Sequence, residues 1–263
     1  MRQLFKLSVA FACGFFAAGV CLGQGASFSS QSIADAFVTT GSDGSFSSSN
    51  FGSAGALAVS ASGLPQGEFQ SVLKFDLSGA ENSFNAQYGA GNWAVQSVTL
   101  QLTAAPHSNP IFNNVAAGQF GVSLMQNNSW VEGTGSGGVP TSDGISFNLL
   151  LGTYINPAID QALGTFSFAG GTSGQNGYGL GLSSSLIADI LSGGAASLRL
   201  FAADSSVSYL FDSRTGGGTA AFHPTITVGV VPVPEPNSVV LCVAALAILW
   251  LWQSIRRWLR RNP

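Results

Sequence analysis

The sequence predicts an all-β protein: an antiparallel, jelly-roll-like β-sandwich with one short helix, preceded by an N-terminal signal peptide and followed by a C-terminal transmembrane helix. Three observations predict the sandwich. Short apolar or alternating runs recur at near-even spacing between residues 24 and 231, and Gly, Ser and Asn separate them. Period-two alternation is plain in Val98-Thr99-Leu100-Gln101-Leu102-Thr103 and in Ser197-Leu198-Arg199-Leu200-Phe201. About ten strands at this spacing fit one two-layer domain of roughly 200 residues.

In chain order, residues 1–23 read as a secretory signal peptide. Arg2 and Lys6 supply the charged start, Leu7 to Leu22 the apolar core, and Cys21-Leu22-Gly23 the small residues before a cut after Gly23. A lipoprotein reading through Cys21 is weaker, because Val20 stands where a small residue is needed. The exported β-sandwich domain, 24–231, is expected to form strands over 32–39, 56–60, 71–77, 94–104, 119–126, 144–150, 164–168, 178–182, 196–202, 206–212 and 225–231. One helix interrupts the strands. Ser183-Ser184-Ser185 offers caps, Leu186, Ile187, Ile190 and Leu191 share a face, and Gly193-Gly194 ends it.

Cysteine and charge divide the chain in the same way. Cys13 and Cys21 fall in the signal peptide and Cys242 in the apolar tail, so the exported region has no disulfide, thiolate metal site or catalytic cysteine. Its three cations, Lys74, Arg199 and Arg214, stand against eleven acidic residues, a formal charge of −8. That balance argues against nucleic acid as a partner, since phosphate contacts need clustered Lys or Arg.

The tail, 232–263, has three parts. Pro234-Glu235-Pro236 comes first, then a wholly apolar run from Val239 to Trp252, then Arg256, Arg257, Arg260 and Arg261. As a helix the run would span about 21 Å, which reaches across a bilayer core when Trp250, Trp252 and Trp258 sit at headgroup level and the arginines snorkel. The four arginines are a topology signal that keeps the C-terminus cytoplasmic. This three-part order resembles the PEP-CTERM sorting signal of Gram-negative bacteria. The resemblance implies an exosortase partner, a cut near the proline motif, a transient membrane anchor, and a destination at the cell surface or in the extracellular matrix. The same tail also fits a permanent single-pass anchor. Pro232, Pro234 and Pro236 favour an extended segment that a protease can take up as a strand.

Within the exported region, Asp35-Ala36-Phe37-Val38, Asn50-Phe51-Gly52-Ser53, Ser71 to Leu77, Trp130-Val131-Glu132-Gly133-Thr134-Gly135 and Phe211-Asp212-Ser213-Arg214 follow one another in an order that resembles the DNRLRE-type jelly-roll domain. The resemblance implies an extracellular module and suggests contact with glycan or matrix.

No catalytic residue is singled out. His107 and His223 have no second histidine at metal-ligand spacing, no Gly-x-Ser-x-Gly elbow is present, and Glu68, Glu81 and Glu132 announce no pair. Tyr88, Trp93 and Tyr178, in loop-like stretches, are candidate glycan contacts by analogy with aromatic platforms. Trp130 is expected to pack beneath its own turn, with Glu132 ordering that loop or pairing with Arg214. No cofactor is expected, although the loops Ser42-Asp43-Gly44 and Ala203-Asp204-Ser205 offer oxygen donors that would suit Ca²⁺. The leading reading is an exported, surface-sorted, non-enzymatic structural or adhesive component of the exopolysaccharide matrix. A carbohydrate-binding module with a defined glycan is the second, and a matrix-remodelling hydrolase or lyase the third.

Overall fold

A computed structural model describes residues 24–105, 112, 118–168, 174–216, 218–233, 243 and 246–253. In order these residues form β1 (Ala26–Thr39), β2 (Ala56–Ser60), β3 (Phe69–Asp76), α1 (Ala80–Tyr88), β4 (Trp93–Ala104), β5 (Gly118–Met125), α2 (Phe147–Leu149, continued by a π-helical turn Leu150–Tyr154), β6 (Gln161–Phe168), β7 (Gly174–Leu180), α3 (Ser184–Ser192), β8 (Ala195–Ala202), β9 (Ser208–Asp212), a 3₁₀ turn Ala220–Phe222 and β10 (Thr225–Pro232). The expected signal peptide, 1–23, lies outside the described residues. So do Pro234, Glu235, Pro236, Arg256, Arg257, Arg260 and Arg261.

The fold is antiparallel β throughout, and its long first strand joins two sets of strands. Residues 26–31 of β1 pair with β10, and residues 32–39 pair with β3 with a register shift between Ser32 and Ala34. The path β1-β10-β4-β9-β2-β3 therefore returns to β1 and closes a barrel-like ring. β8, β5 and β6 extend it from β3, and β7 pairs with the other edge of β4. Alternation explains the core: Val98 and Leu100 of β4 and Ile226 and Val228 of β10 turn inward to meet Leu73 and Phe75 of β3 and Leu198 and Leu200 of β8. Phe120, Phe168, Tyr209 and Phe211 pack as tilted and edge-to-face rings in the same cluster.

The helices follow from local signals of unequal strength. α3 has the cap that the sequence announces: Ser183 Oγ accepts from the Leu186 N–H, and Gly193 takes the left-handed conformation at φ 63°. Leu186 and Ile190 are its buried face. α1 was not expected; only Ala80 and Phe84 of its nine residues are buried, too few for a visible apolar stripe. The segment 144–150, expected as a strand, begins a helix instead. Ser146 caps it by accepting from the Leu149 N–H, and Phe147 and Leu150 point together into a second core cluster with Trp130. The alternation of Ile145 and Phe147 suggested a strand; the cap and the i,i+3 pair prevailed.

Beyond β10, residues 246–253 are helical. Among the described residues no helix is long and apolar enough to cross a membrane.

Candidate functional site

Asp35, Glu132 and Arg214 converge from β1, from the loop after β5 and from the segment after β9. Asp35 is fully buried. Its Oδ2 accepts from Ser32 Oγ at 2.9 Å and from the Arg214 backbone N–H at 2.9 Å. Glu132 Oε1 accepts from the Asp35 N–H at 3.1 Å and from Arg214 Nε at 3.0 Å, while Oε2 pairs with Arg214 Nη2. Burial pushes the Asp35 carboxyl up to about 6, against the lowering effect of its hydrogen bonds from Arg214 and Ser32. Its Oδ1 has no hydrogen-bond partner among the described residues. The bond to Glu132 holds the Arg214 guanidinium above its ordinary range.

Lys74 and Trp130 extend this junction into the interior. Lys74 Nζ donates to the Trp130 carbonyl at 2.7 Å and stands 4.5 Å from the indole centroid. Trp130 is fully buried, and its Nε1 donates to Ser197 Oγ at 2.9 Å. Its placement beneath its own turn and the Glu132–Arg214 pair agree with the reading of the sequence. Asn50 fastens the turn: Nδ2 donates to the carbonyls of Glu132 and Ile145, and Oδ1 accepts from the N–H groups of Gly52 and Gly135. Glycine is required there, since a Cβ on Gly135 would lie 1.9 Å from the Asn50 carbonyl oxygen. Chemically the junction is a brace between distant segments. Both oxygens of Glu132 are occupied by Arg214, and Asp35 is sealed from solvent.

A second feature is an aromatic cleft on the other face of β2. Phe37, Phe46, Phe51, Phe69 and Phe112 wall a cavity of about 240 Å³. Phe37 and Phe51 stack at 4.9 Å, and Phe112 meets Phe69 edge-on at 5.3 Å. Such a space is large enough for one ring-sized apolar group.

The three aromatic candidates do not form an exposed platform, which corrects the sequence reading. Trp93 is buried at the start of β4, 5.0 Å from Phe84, with Nε1 donating to Asn85 Oδ1. The helix α1 that covers it carries no strong sequence signal. Tyr178 is buried in β7 with its ring 5.0 Å from Phe120, and burial pushes its hydroxyl up to about 12. The strand expected over 178–182 starts earlier, at Gly174, and it turns the tyrosine inward. Tyr88 is half-buried, packs against the core and donates its hydroxyl to the Gln24 carbonyl at 2.6 Å.

The remaining candidates serve turns. Asp43 accepts from the Ser45 N–H, and Asp204 accepts from the Gln119 and Ser206 N–H groups. The Ser45 and Ser206 hydroxyls first, and these backbone bonds second, hold the two carboxyls below their ordinary range. Among the described residues no three His, Cys, Asp or Glu side chains gather as metal ligands. His223 adjoins the 3₁₀ turn, near Asp212, whose carboxyl burial raises. His107 lies outside the described residues. Compared with known proteins, the chain matches no family model and no curated sequence.

Proposed function

We propose that this chain is an exported protein sorted to the cell surface by a PEP-CTERM-type tail, where a non-enzymatic, jelly-roll-like domain serves as a structural or adhesive component of the polysaccharide matrix. One observation carries the proposal. Past the end of β10, Leu246, Ile248, Leu249 and Leu251 are each more than half exposed, on a helix set between Pro234-Glu235-Pro236 and four arginines. Water is a poor environment for so many neighbouring apolar side chains, and a bilayer is a suitable one. The run Val239 to Trp252 is then the membrane anchor, the arginines keep its end cytoplasmic, and an exosortase is the processing partner.

The non-enzymatic part of the reading draws support from the junction. A glycoside hydrolase needs two carboxyl groups open to one cleft. Asp35 and Glu132 are instead committed to Arg214. The division of β1 between β10 and β3 supports the sandwich-like reading, because a strand that bends from one partner to another is how the two layers of such a fold are joined at a corner.

Expression in the host with and without the candidate exosortase, followed by fractionation and intact-mass reading of the C-terminus, tests the proposal. A product ending near Pro234 in the outer or secreted fraction, lost without the enzyme, is expected. An intact chain ending at Pro263 in the inner membrane would overturn it.

A further inference from the structure

The outward face of β1, β10, β4 and β7 is an ordered array of uncharged polar groups. Register aligns Ser29, Thr227, Thr99 and Gly179 in one row across the four strands. The next row is Gln31, Thr225, Gln101 and Gly177. Their inward neighbours Val98, Leu100, Ile226 and Val228 are buried, which fixes the outward side chains on a rigid support. Sheet geometry sets the array: about 4.8 Å between strands and about 6.7 Å between successive outward positions.

The array retains hydrogen-bonding capacity. Ser29 Oγ and Thr227 Oγ1 lie 2.9 Å apart and share one bond, yet a hydroxyl offers one donor and two acceptor sites. Gly177 and Gly179 leave β7 as a low shelf beside Gln101 and Thr99, and a Cβ on Gly179 would meet nothing within 4 Å. At one end Gln31 Nε2 donates to the Ala220 carbonyl at 2.6 Å and Gln175 Nε2 to that of Ala221. Both hold the 3₁₀ turn that carries the exposed Phe222. Thr103 continues the outward file of β4 past Gln101; it is 5% exposed, and its hydroxyl has no partner among the described residues.

Charge narrows the occupant. No outward position of these four strands is acidic or basic. The domain's cations are engaged elsewhere: Lys74 with the Trp130 carbonyl, Arg199 with Gln70 and Arg214 with Glu132. An anionic polymer meets no cation here, and the domain's net negative charge repels it. A protein partner would find none of the Trp, Tyr, Met or Arg anchors that carry such interfaces. We infer that this face, centred on Thr99 and Thr227, is the contact surface for an uncharged, hydroxyl-rich polysaccharide; the inference rests on the matrix reading above and specifies its ligand. Short Ser and Thr side chains on paired strands lose little freedom on binding, so many weak hydrogen bonds can add along a polymer.

The test is co-sedimentation of the detergent-solubilised full chain with insoluble cellulose, insoluble starch and calcium-alginate beads. Wild type should be retained saturably by at least one neutral polymer, equally at low and high salt, and not by alginate. The double variant T99E/T227E should lose about tenfold in affinity, and the near-isosteric T99V/T227V should also lose affinity while keeping the wild-type melting temperature. Thr165→Glu, on exposed β6, should bind as wild type. Retention by alginate alone, no retention by either neutral polymer, or unchanged binding by T99V/T227V would overturn the inference. The sorting proposal fails separately, through fractionation: face variants that reach the surface but still bind as wild type sink only the face, whereas a wild type that binds cellulose but stays in the inner membrane sinks only the sorting.

Discussion

Arg214 grips Glu132 with both Nε and Nη2 across 82 residues of sequence, while its backbone N–H donates to the buried Asp35 carboxylate. The segment after β9 is thereby tied to β1 and to the Trp130 turn at once. Arg214→Ala should lower stability by about 1–3 kcal/mol, since the pair is partly shielded and Glu132 would lose its charge-assisted bonds. Arg214→Lys should recover only part of this, because an ammonium cannot reproduce the fork. Urea denaturation of both variants decides it; equal stability of wild type and Arg214→Ala would contradict the brace.

The Asp35 carboxyl, raised from 3.8 to about 6, gives stability an unusual slope with pH. The folded state holds this proton more tightly than the unfolded chain does. The contribution is therefore fully present below pH 3.8 and is lost as pH rises through about 6. Its full extent is on the order of 2–3 kcal/mol. Glu132 and Arg214 are the charged groups that act on it. Asp189 and Asp212 are raised by burial in the same sense, so Asp35→Asn should reduce the decline between pH 4 and 7 without abolishing it. Denaturation midpoints across that range, identical in slope for the variant and wild type, would refute the assignment.

Trp130 fills the second core cluster and donates to Ser197. Trp130→Ala should cost about 3–5 kcal/mol and leave Lys74 without its aromatic partner. Trp130→Phe should cost less, about 1–2 kcal/mol, through a smaller void and the lost indole hydrogen bond. Calorimetric melting of the two variants would show the order.

Two glycines two residues apart should respond in opposite ways. Gly135→Ala drives a methyl into the Asn50 carbonyl and should cost more than about 2 kcal/mol, whereas Gly137, with nothing within 4 Å of its Cβ position, should tolerate alanine within about 0.5 kcal/mol. Comparable losses at both sites would show that the Asn50 turn is not the tight point described.

Truncation after Val233 should leave a folded protein that no longer needs detergent. β10 ends at Pro232, the Val233 N–H donates to the Asn92 carbonyl, and the exposed apolar helix lies entirely beyond. Size-exclusion chromatography without detergent is the measurement, and persistent aggregation of the truncated protein would count against the tail as the source of insolubility.

Much of this architecture is written locally. Alternation marks the strands from Val98 and Ser197 onward, Ser183 and Gly193 delimit α3, and the Trp130-Val131-Glu132-Gly133 stretch already suggests a buried indole and an acid facing Arg214. These features depend on neighbours within a few residues, or on a charge with few alternatives. What the local pattern leaves open is where each face goes. Alternation groups Tyr178 with its strand positions, but inward and outward differ by one residue of register, and Gly177 and Gly179 hide only the first half of β7. Trp93 is buried because α1, a helix with a thin apolar stripe, lies over it. Asp35 reads as one acid among eleven until β1 passes from β10 to β3 and seals it beneath Arg214. The rows through Thr99 and Thr227 exist because β1, β10, β4 and β7 become neighbours. That adjacency is set by the burial of a shared core, which no single strand specifies.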